Sequence, residues 1–191
     1  MDNKTKILQS AQELFLNGGV QALSVRGIAA RAGVSTIGIY SHFQGKQGIL
    51  DALYVEGFEL VSAAMADAQS GRPTREQVRA CCERYLEIAE RSEAHYRLIF
   101  GEHGADYVPS AAGQAVAVEA FRKLTRVVGQ LLPEAASAAQ KREAAVAVWA
   151  LLHGYVSLRH QALSGLMDEA SSREHALAAV DVLLSGIAEL H

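Results

Sequence analysis

The chain has 191 residues, half of them hydrophobic, with three prolines and a formal net charge of −3. Such a length buries a sizeable core in one unit or two small ones, and an alanine- and leucine-rich, proline-poor composition is that of a helical protein. The adjacent Cys81 and Cys82 make no disulfide framework, and the longest apolar stretch, Ala144 to Leu158, is broken by His153 and falls short of the roughly 20 residues of a membrane span.

In chain order, Ile7, Leu8, Ala11, Leu14 and Phe15 share one face of a helix over 4–17 that stops at Asn17-Gly18-Gly19. Two short helices follow, about 24–32 and 35–41, meeting at Ala32-Gly33-Val34. Ser24 and Ser35 can cap them, and Gly33 can take the left-handed turn between them. A fourth helix is predicted over 46–68, ended by Ser70-Gly71-Arg72-Pro73. Thr74 and Gln77 form a capping box for a helix at 75–91. Ser92 is placed to cap a short segment through Phe100, and 101–113 reads as a loop. Helices are then expected over 114–132, 138–163 and 173–189, with Ser171 and Glu174 as a second capping box before the last. The pattern predicts an all-α chain of about nine helices: an N-terminal three-helix, helix-turn-helix DNA-binding domain over 1–46, and a helical ligand-binding and dimerisation domain over 47–191.

Charge separates along the chain. Residues 1–50 hold Lys4, Lys6, Arg26, Arg31 and Lys46 against Asp2 and Glu13, a local +3, so the remainder carries −6. A basic head on an acidic body suits a protein that docks on phosphate by one end. The second short helix is small, and a helix of that kind fits a DNA major groove. Its candidate contacts are Thr36 and Ile37 at base edges, Gly38 for close backbone approach, and Tyr40, Ser41, His42 and Lys46 for phosphate. Ser24 and Ser35 at the helix starts and Arg26 in the preceding helix complete the set. Phe43 is expected to pack inward. Ile37-Gly38-Ile39 leaves few hydrogen-bonding side chains for bases, so part of the readout is expected to come from DNA shape.

The phrases IAARAGVS (28–35), IYSHFQGK (39–46) and ILDAL (49–53) resemble the TetR family of bacterial transcriptional regulators over roughly residues 5–55. The sequence Trp149-Ala-Leu-Leu-His153-Gly154 is similar to a subgroup of that family. The resemblance implies a bacterial, cytoplasmic repressor released from its operator by a ligand.

One head contacts few phosphates, so a homodimer on a pseudo-palindromic duplex is expected. The last two helices carry more apolar positions than one core-facing stripe uses, and Val180, Leu183, Leu184 and Ile187 are the candidate interface. Aromatic and imidazole groups gather in the body, and Tyr96, Phe100, His103, Tyr107, Trp149 and His153 are the candidate lining for a small, largely apolar effector. The competing reading is a body that binds a protein partner instead. No cofactor, metal or catalytic residue is assigned, since neither an HExxH nor a glycine-rich phosphate loop is present and the carboxylates scatter over helix surfaces. The chain is read as a regulator, not an enzyme.

Overall fold

The structure, a computed structural model, describes residues 2–69, 73–100, 107–160 and 169–189. Among these residues it is all-helical: α1 (Asn3–Gly18), α2 (Val25–Ala32), α3 (Thr36–Phe43), α4 (Lys46–Ala63), α5 (Arg75–Arg91), α6 (Glu93–Ile99), α7 (Ala111–Gly129), α8 (Ala138–His160) and α9 (Glu169–Glu189), with single 3-10 turns at Val20–Ala22 and Ala66–Gln69. The chain divides into two compact units, residues 1–60 with 91–118 and residues 61–90 with 119–191, so the division falls inside α4, before the last residue of α5, and inside α7. The expected boundary after residue 46 sits at the start of α4, within the first unit.

In the first unit α1 buries Ile7, Leu8, Ala11 and Phe15 against α2, α3 and α6. The spacing of those four residues puts them on one face, which is why an isolated amphipathic helix becomes the pillar of the unit. Ile28, Ala29, Ile39, Phe43, Ile49, Leu50 and Leu53 close the core around it. The Arg97 guanidinium lies 5.8 Å from the centre of the Phe15 ring, and His95 Nε2 is 3.2 Å from Glu56 Oε2 and 3.4 Å from Gln12 Nε2. A side chain at Gly57 would meet Ile99 Cγ2 at 2.7 Å, so α4 and α6 approach closely at that point.

The second unit packs α8 against α9. Val148, Leu152 and Val156 are buried along α8, as are Ala176, Leu177, Val180, Leu184 and Ile187 along α9. From α5, Val78, Cys82, Tyr85, Leu86 and Ala89 are buried. Arg79 Nε bonds Asp181 (3.0 Å), Arg75 bonds Ser185 Oγ (3.0 Å), and Arg173 pairs with Glu90, so polar pairs fix α5 to α9. Burial, with the Cys81 thiol beside it, pushes the Cys82 thiol up to about 12. It stays protonated and packs as a small hydrophobe.

Helix boundaries depart from the sequence expectation where local hydrogen bonds intervene. The fourth helix stops at Ala63, not 68, and the carbonyl of Ala64 accepts from Arg84 Nε instead (2.9 Å). α7 begins at Ala111, three residues early, because Ser110 Oγ accepts from the N–H of Gly113 (3.2 Å). It ends at Gly129, and the N–H groups of Leu131 and Leu132 tighten onto Val128 and Gly129 carbonyls before Pro133. Thr74 and Gln77 do form the reciprocal capping box, at 3.3 and 2.8 Å. Ser137 and Gln140, unforeseen, do the same for α8 (3.2 and 2.8 Å). The box expected at Ser171 is overturned, since α9 is already helical from Glu169. Ser92 precedes α6 but makes no side-chain cap. No described helix is long and apolar enough to cross a membrane.

Candidate nucleic-acid interface

The geometry of α3 follows from its two ends. Ser24 Oγ accepts from Gly27 N–H (3.0 Å) to start α2, and Gly33 takes φ +65°, a left-handed position that glycine adopts without a Cβ clash. The N–H of Val34 closes back on the carbonyl of Ala29 (3.0 Å). Ser35 Oγ then accepts from Gly38 N–H (3.1 Å) and starts α3 two residues after the turn. At the other end Gln44 (φ 59°) and Gly45 (φ 120°) reverse the chain into α4.

A short helix held at both ends presents one face inward. Ile39 is fully buried and Phe43 nearly so, whereas Ile37 is 78% and Tyr40 57% exposed. Ser35, Thr36, Ser41 and His42 are exposed beside them, as are Ser24 and Arg26 on α2; Gly38 is half-buried. The ring of Tyr40 lies over Gly45, whose added Cβ would stand 3.4 Å from Tyr40 Cε1. The phenol is therefore steered by the turn that ends its own helix. A methyl at Gly38 would meet Ser35 Oγ at an ordinary 3.6 Å.

Besides the capping Ser24 and Ser35, two more of the candidate polar groups have partners within the head. Ser41 Oγ donates to the carbonyl of Gly38 (3.0 Å), leaving its lone pairs outward. Lys46 Nζ donates to the carbonyl of Val20 (2.7 Å) at the 3-10 turn before α2. An ammonium has three donors, so this bond fixes the stem of Lys46 and leaves two N–H groups for an anion. Arg31, by contrast, is paired with Glu13 at 2.5 Å. The net positive side chains of the head are thus Lys4, Lys6, Arg26 and Lys46.

Sequence reasoning overlooked two supports of this surface. Gly48 stands so close to the carbonyl of Phe43 that any Cβ there would overlap it. Asp51 Oδ1 accepts from Tyr107 Oη (2.7 Å) and from Ser110 N–H (3.0 Å), while Gln47 Nε2 donates to the Val108 carbonyl (2.8 Å). Residues 107–110 are thereby strapped along the first two turns of α4. Burial and the Asp51 carboxylate both hold the Tyr107 hydroxyl far above its usual range, so it is a permanent donor. The QGKQG run at 44–48 was a legible turn signal; the pairing of Asp51 with Tyr107 across 56 positions was not.

The candidate effector residues fall into both units. Tyr96 and Phe100 stack at 4.7 Å, and Phe58 lies 6.1 Å from Phe100. Tyr107 is buried against Tyr54 at 5.9 Å. In the second unit Trp149 is half-buried and 5.7 Å from Phe121, and His153 Nε2 is 3.4 Å from Ser157 Oγ. Burial holds the His153 imidazole below its ordinary 6.5. His103 lies outside the described residues. Of the candidate interface residues, Val180, Leu184 and Ile187 are buried within the single chain and Leu183 is half-buried. The exposed positions among the described residues of α9 are Glu174, His175, Ala178, Val182 (75% exposed) and Gly186.

Residues 7–53 match bacterial regulatory proteins of the tetR family, and residues 78–183 match the tetracyclin repressor-like C-terminal domain. The HTH-type transcriptional activator FasR of Mycolicibacterium smegmatis is 33% identical over 123 residues, 62% of this chain and 55% of that protein. A Bacillus subtilis relative, YttP, is 31% identical over 98 residues, 51% of this chain and 47% of that protein. The chain spans about half the length of these curated relatives. Among solved structures, a Rhodococcus sp. RHA1 protein has a TM-score of 0.74 at 26% identity, covering 98% of this chain and 96% of its own. The TetR family transcriptional regulator PfmR of Thermus thermophilus has 0.73 at 22% identity, covering 95% and 98%, a likeness of fold.

Proposed function

The chain belongs to the tetR family of bacterial regulatory proteins, and we propose that it is a DNA-binding transcriptional regulator, not an enzyme, acting in the cytoplasm as a homodimeric repressor whose grip on a pseudo-palindromic operator is loosened by a small, largely apolar effector. DNA binding is assigned to residues 1–46, and effector binding and dimerisation to 47–191. The observation that carries the reading is the outward face of α3, where Ile37 and Tyr40 stand in solvent over a buried Ile39 and Phe43.

On this reading Thr36 and Ile37 meet base edges, Ile37 through a thymine methyl. Tyr40, Ser41, His42 and Lys46 meet phosphate oxygens of one strand, and Ser24, Arg26 and Ser35 those flanking them. The two-fold is proposed on α8 and α9. Gly186 and Gly154 sit inside helices where a Cβ would meet nothing within 4 Å. A glycine there costs the isolated helix about 1 kcal/mol relative to alanine, a cost that close approach of a second subunit explains. Val182 and Leu158 (42% exposed) supply apolar surface beside them.

The effector site is proposed around Trp149 and His153, whose imidazole burial holds below its ordinary range; the Tyr96, Phe100 and Tyr107 cluster of the first unit is proposed as a second, separate candidate. A ligand alters DNA affinity only if it prefers one arrangement of the dimer, and a coupling of about 1–3 kcal/mol lowers operator affinity about 5–150-fold. The name of the FasR relative, a transcriptional activator, favours a second reading in which the same DNA contact recruits transcription instead of blocking it.

The test is a salt titration of duplex binding. Tyr40→Phe and Lys46→Ala should weaken binding to every sequence, and Lys46→Ala should reduce the slope of log affinity against log salt by about one unit. If both variants match the parent at all salt concentrations, this surface does not contact DNA. A reporter placed behind the selected duplex then decides repression or activation.

A further inference from the structure

We propose that the groove between the second half of α7 and the first turns of α8 binds an amphiphilic anion, an acidic head group on an apolar tail. The groove has a volume of about 780 Å³ and carries Arg122, Arg126, Lys141 and Arg142 around it, with Glu134 as its one carboxylate. Arg122 is 3.7 Å from Glu119, a neighbour on its own helix. Among the described residues Arg126, Lys141 and Arg142 make no ion pair. With Arg122 balanced by Glu119, the other three cations against Glu134 leave +2 around the groove in a chain of net −3, and like charges around one concavity raise its affinity for an anion.

Two features order the site. A side chain at Gly129 would meet Lys141 Cβ and Cγ at 2.9 Å, so the stem of Lys141 lies directly across α7 and is held there. The Ser137–Gln140 capping box fixes the first turn of α8, on which Lys141 and Arg142 ride, and the positive end of that helix adds to their field. Guanidinium groups bind carboxylate or phosphate through paired N–H donors.

The polarity is graded. Phe121 and Leu132 line the groove alongside the cations. A second recess of about 400 Å³ shares Phe121 and Arg142 and continues along Val146 and Ala147, with Glu143 as its acidic member. Val146 is 48% exposed, an apolar side chain left in solvent. A head held by Arg126, Lys141 and Arg142 would lay its tail over Phe121 and Val146. A nucleic acid does not fit this gradient, because its phosphates repeat and offer no apolar tail. The site shares no residue with the α3 surface, and its test has no DNA readout.

The experiment uses the full chain and the emission of Trp149, whose indole lies 5.7 Å from the Phe121 ring. The probes are dodecyl phosphate, dodecanoate, dodecanol and inorganic phosphate, each below its micellar concentration, with calorimetry for stoichiometry. Both amphiphilic anions should bind once per chain and shift the emission. Dodecanol and inorganic phosphate should each bind at least about tenfold more weakly, a difference of about 1.4 kcal/mol. Arg126→Gln with Arg142→Gln should weaken both anions by about tenfold or more while leaving dodecanol and the circular dichroism unchanged. The tighter of the two anions then identifies the head as a phosphate ester or a carboxylate. Equal binding of dodecanol and dodecyl phosphate, full affinity in the double variant, or inorganic phosphate competing as well as its dodecyl ester would overturn the assignment. So would a double variant that changes sedimentation while the parent binds no probe, which would make this face a contact between copies.

Discussion

Ile39 and Tyr40 are consecutive, yet the first is fully buried and the second more than half in solvent. A helix turns about 100° per residue, so the fate of each α3 side chain is set by the two caps that fix its rotation. That makes the single-residue expectations sharp. Thr36→Ala and Ile37→Ala should change which sequences are preferred more than the overall affinity, each mismatch shifting by about 1–3 kcal/mol, as read by competition with variant duplexes. Gly48→Ala places a methyl on the Phe43 carbonyl and should lower the thermal midpoint and duplex binding together, whereas Gly38→Ala, with its 3.6 Å contact, should leave the midpoint in place. His153 offers a test by pH. Its folded value is depressed by burial, so its contribution to stability is complete above the ordinary 6.5 and is lost as pH falls through the lower folded value. His153→Asn should flatten that acid limb of the thermal midpoint relative to the parent; an unchanged limb would mean that burial of His153 does not govern it.

At the scale of elements, caps and stripes carried the legible information. Ser24, Gly33, Ser35 and the Thr74–Gln77 box sit where their residue types demand, because capping is a local bargain between a side chain and the next turn. Ser24→Ala or Ser35→Ala should each cost about 1 kcal/mol, read from denaturant midpoints. Long-range partners were not legible. The early stop of α4 depends on Arg84 reaching the Ala64 carbonyl, twenty residues away, and the strap at 107–110 depends on Asp51. Asp51→Ala should leave the Tyr107 hydroxyl and the Ser110 N–H without their acceptor and speed amide exchange in 107–113 more than in α1. The apolar stripe of α9 was legible as excess, but not which side faced in: Leu184 is fully buried and Val182 is 75% exposed. Val182→Glu should therefore yield a folded monomer by ultracentrifugation. Leu184→Glu should instead lose helicity, since burying an unpaired carboxylate costs several kcal/mol. A dimeric Val182→Glu protein would move the interface off this face.

Across the whole molecule, the charge asymmetry of the sequence has a structural counterpart in the head, where Arg31 is neutralised by Glu13 while Lys4, Lys6, Arg26 and Lys46 stay available to an anion. The proposed dimer would present that set twice, which would give operator binding a salt dependence and a two-fold symmetry. The central claim is that the outward face of α3 reads DNA as one of a symmetric pair. The most direct measurement is selection of bound sequences from a pool of random duplexes by the purified full chain, followed by the same selection with Tyr40→Ala. The parent should enrich an inverted repeat whose half-sites lie about one helical turn or a related spacing apart, and the variant should retain far less DNA. A parent that enriches no inverted repeat, or a variant that enriches the same one with undiminished yield, would contradict it.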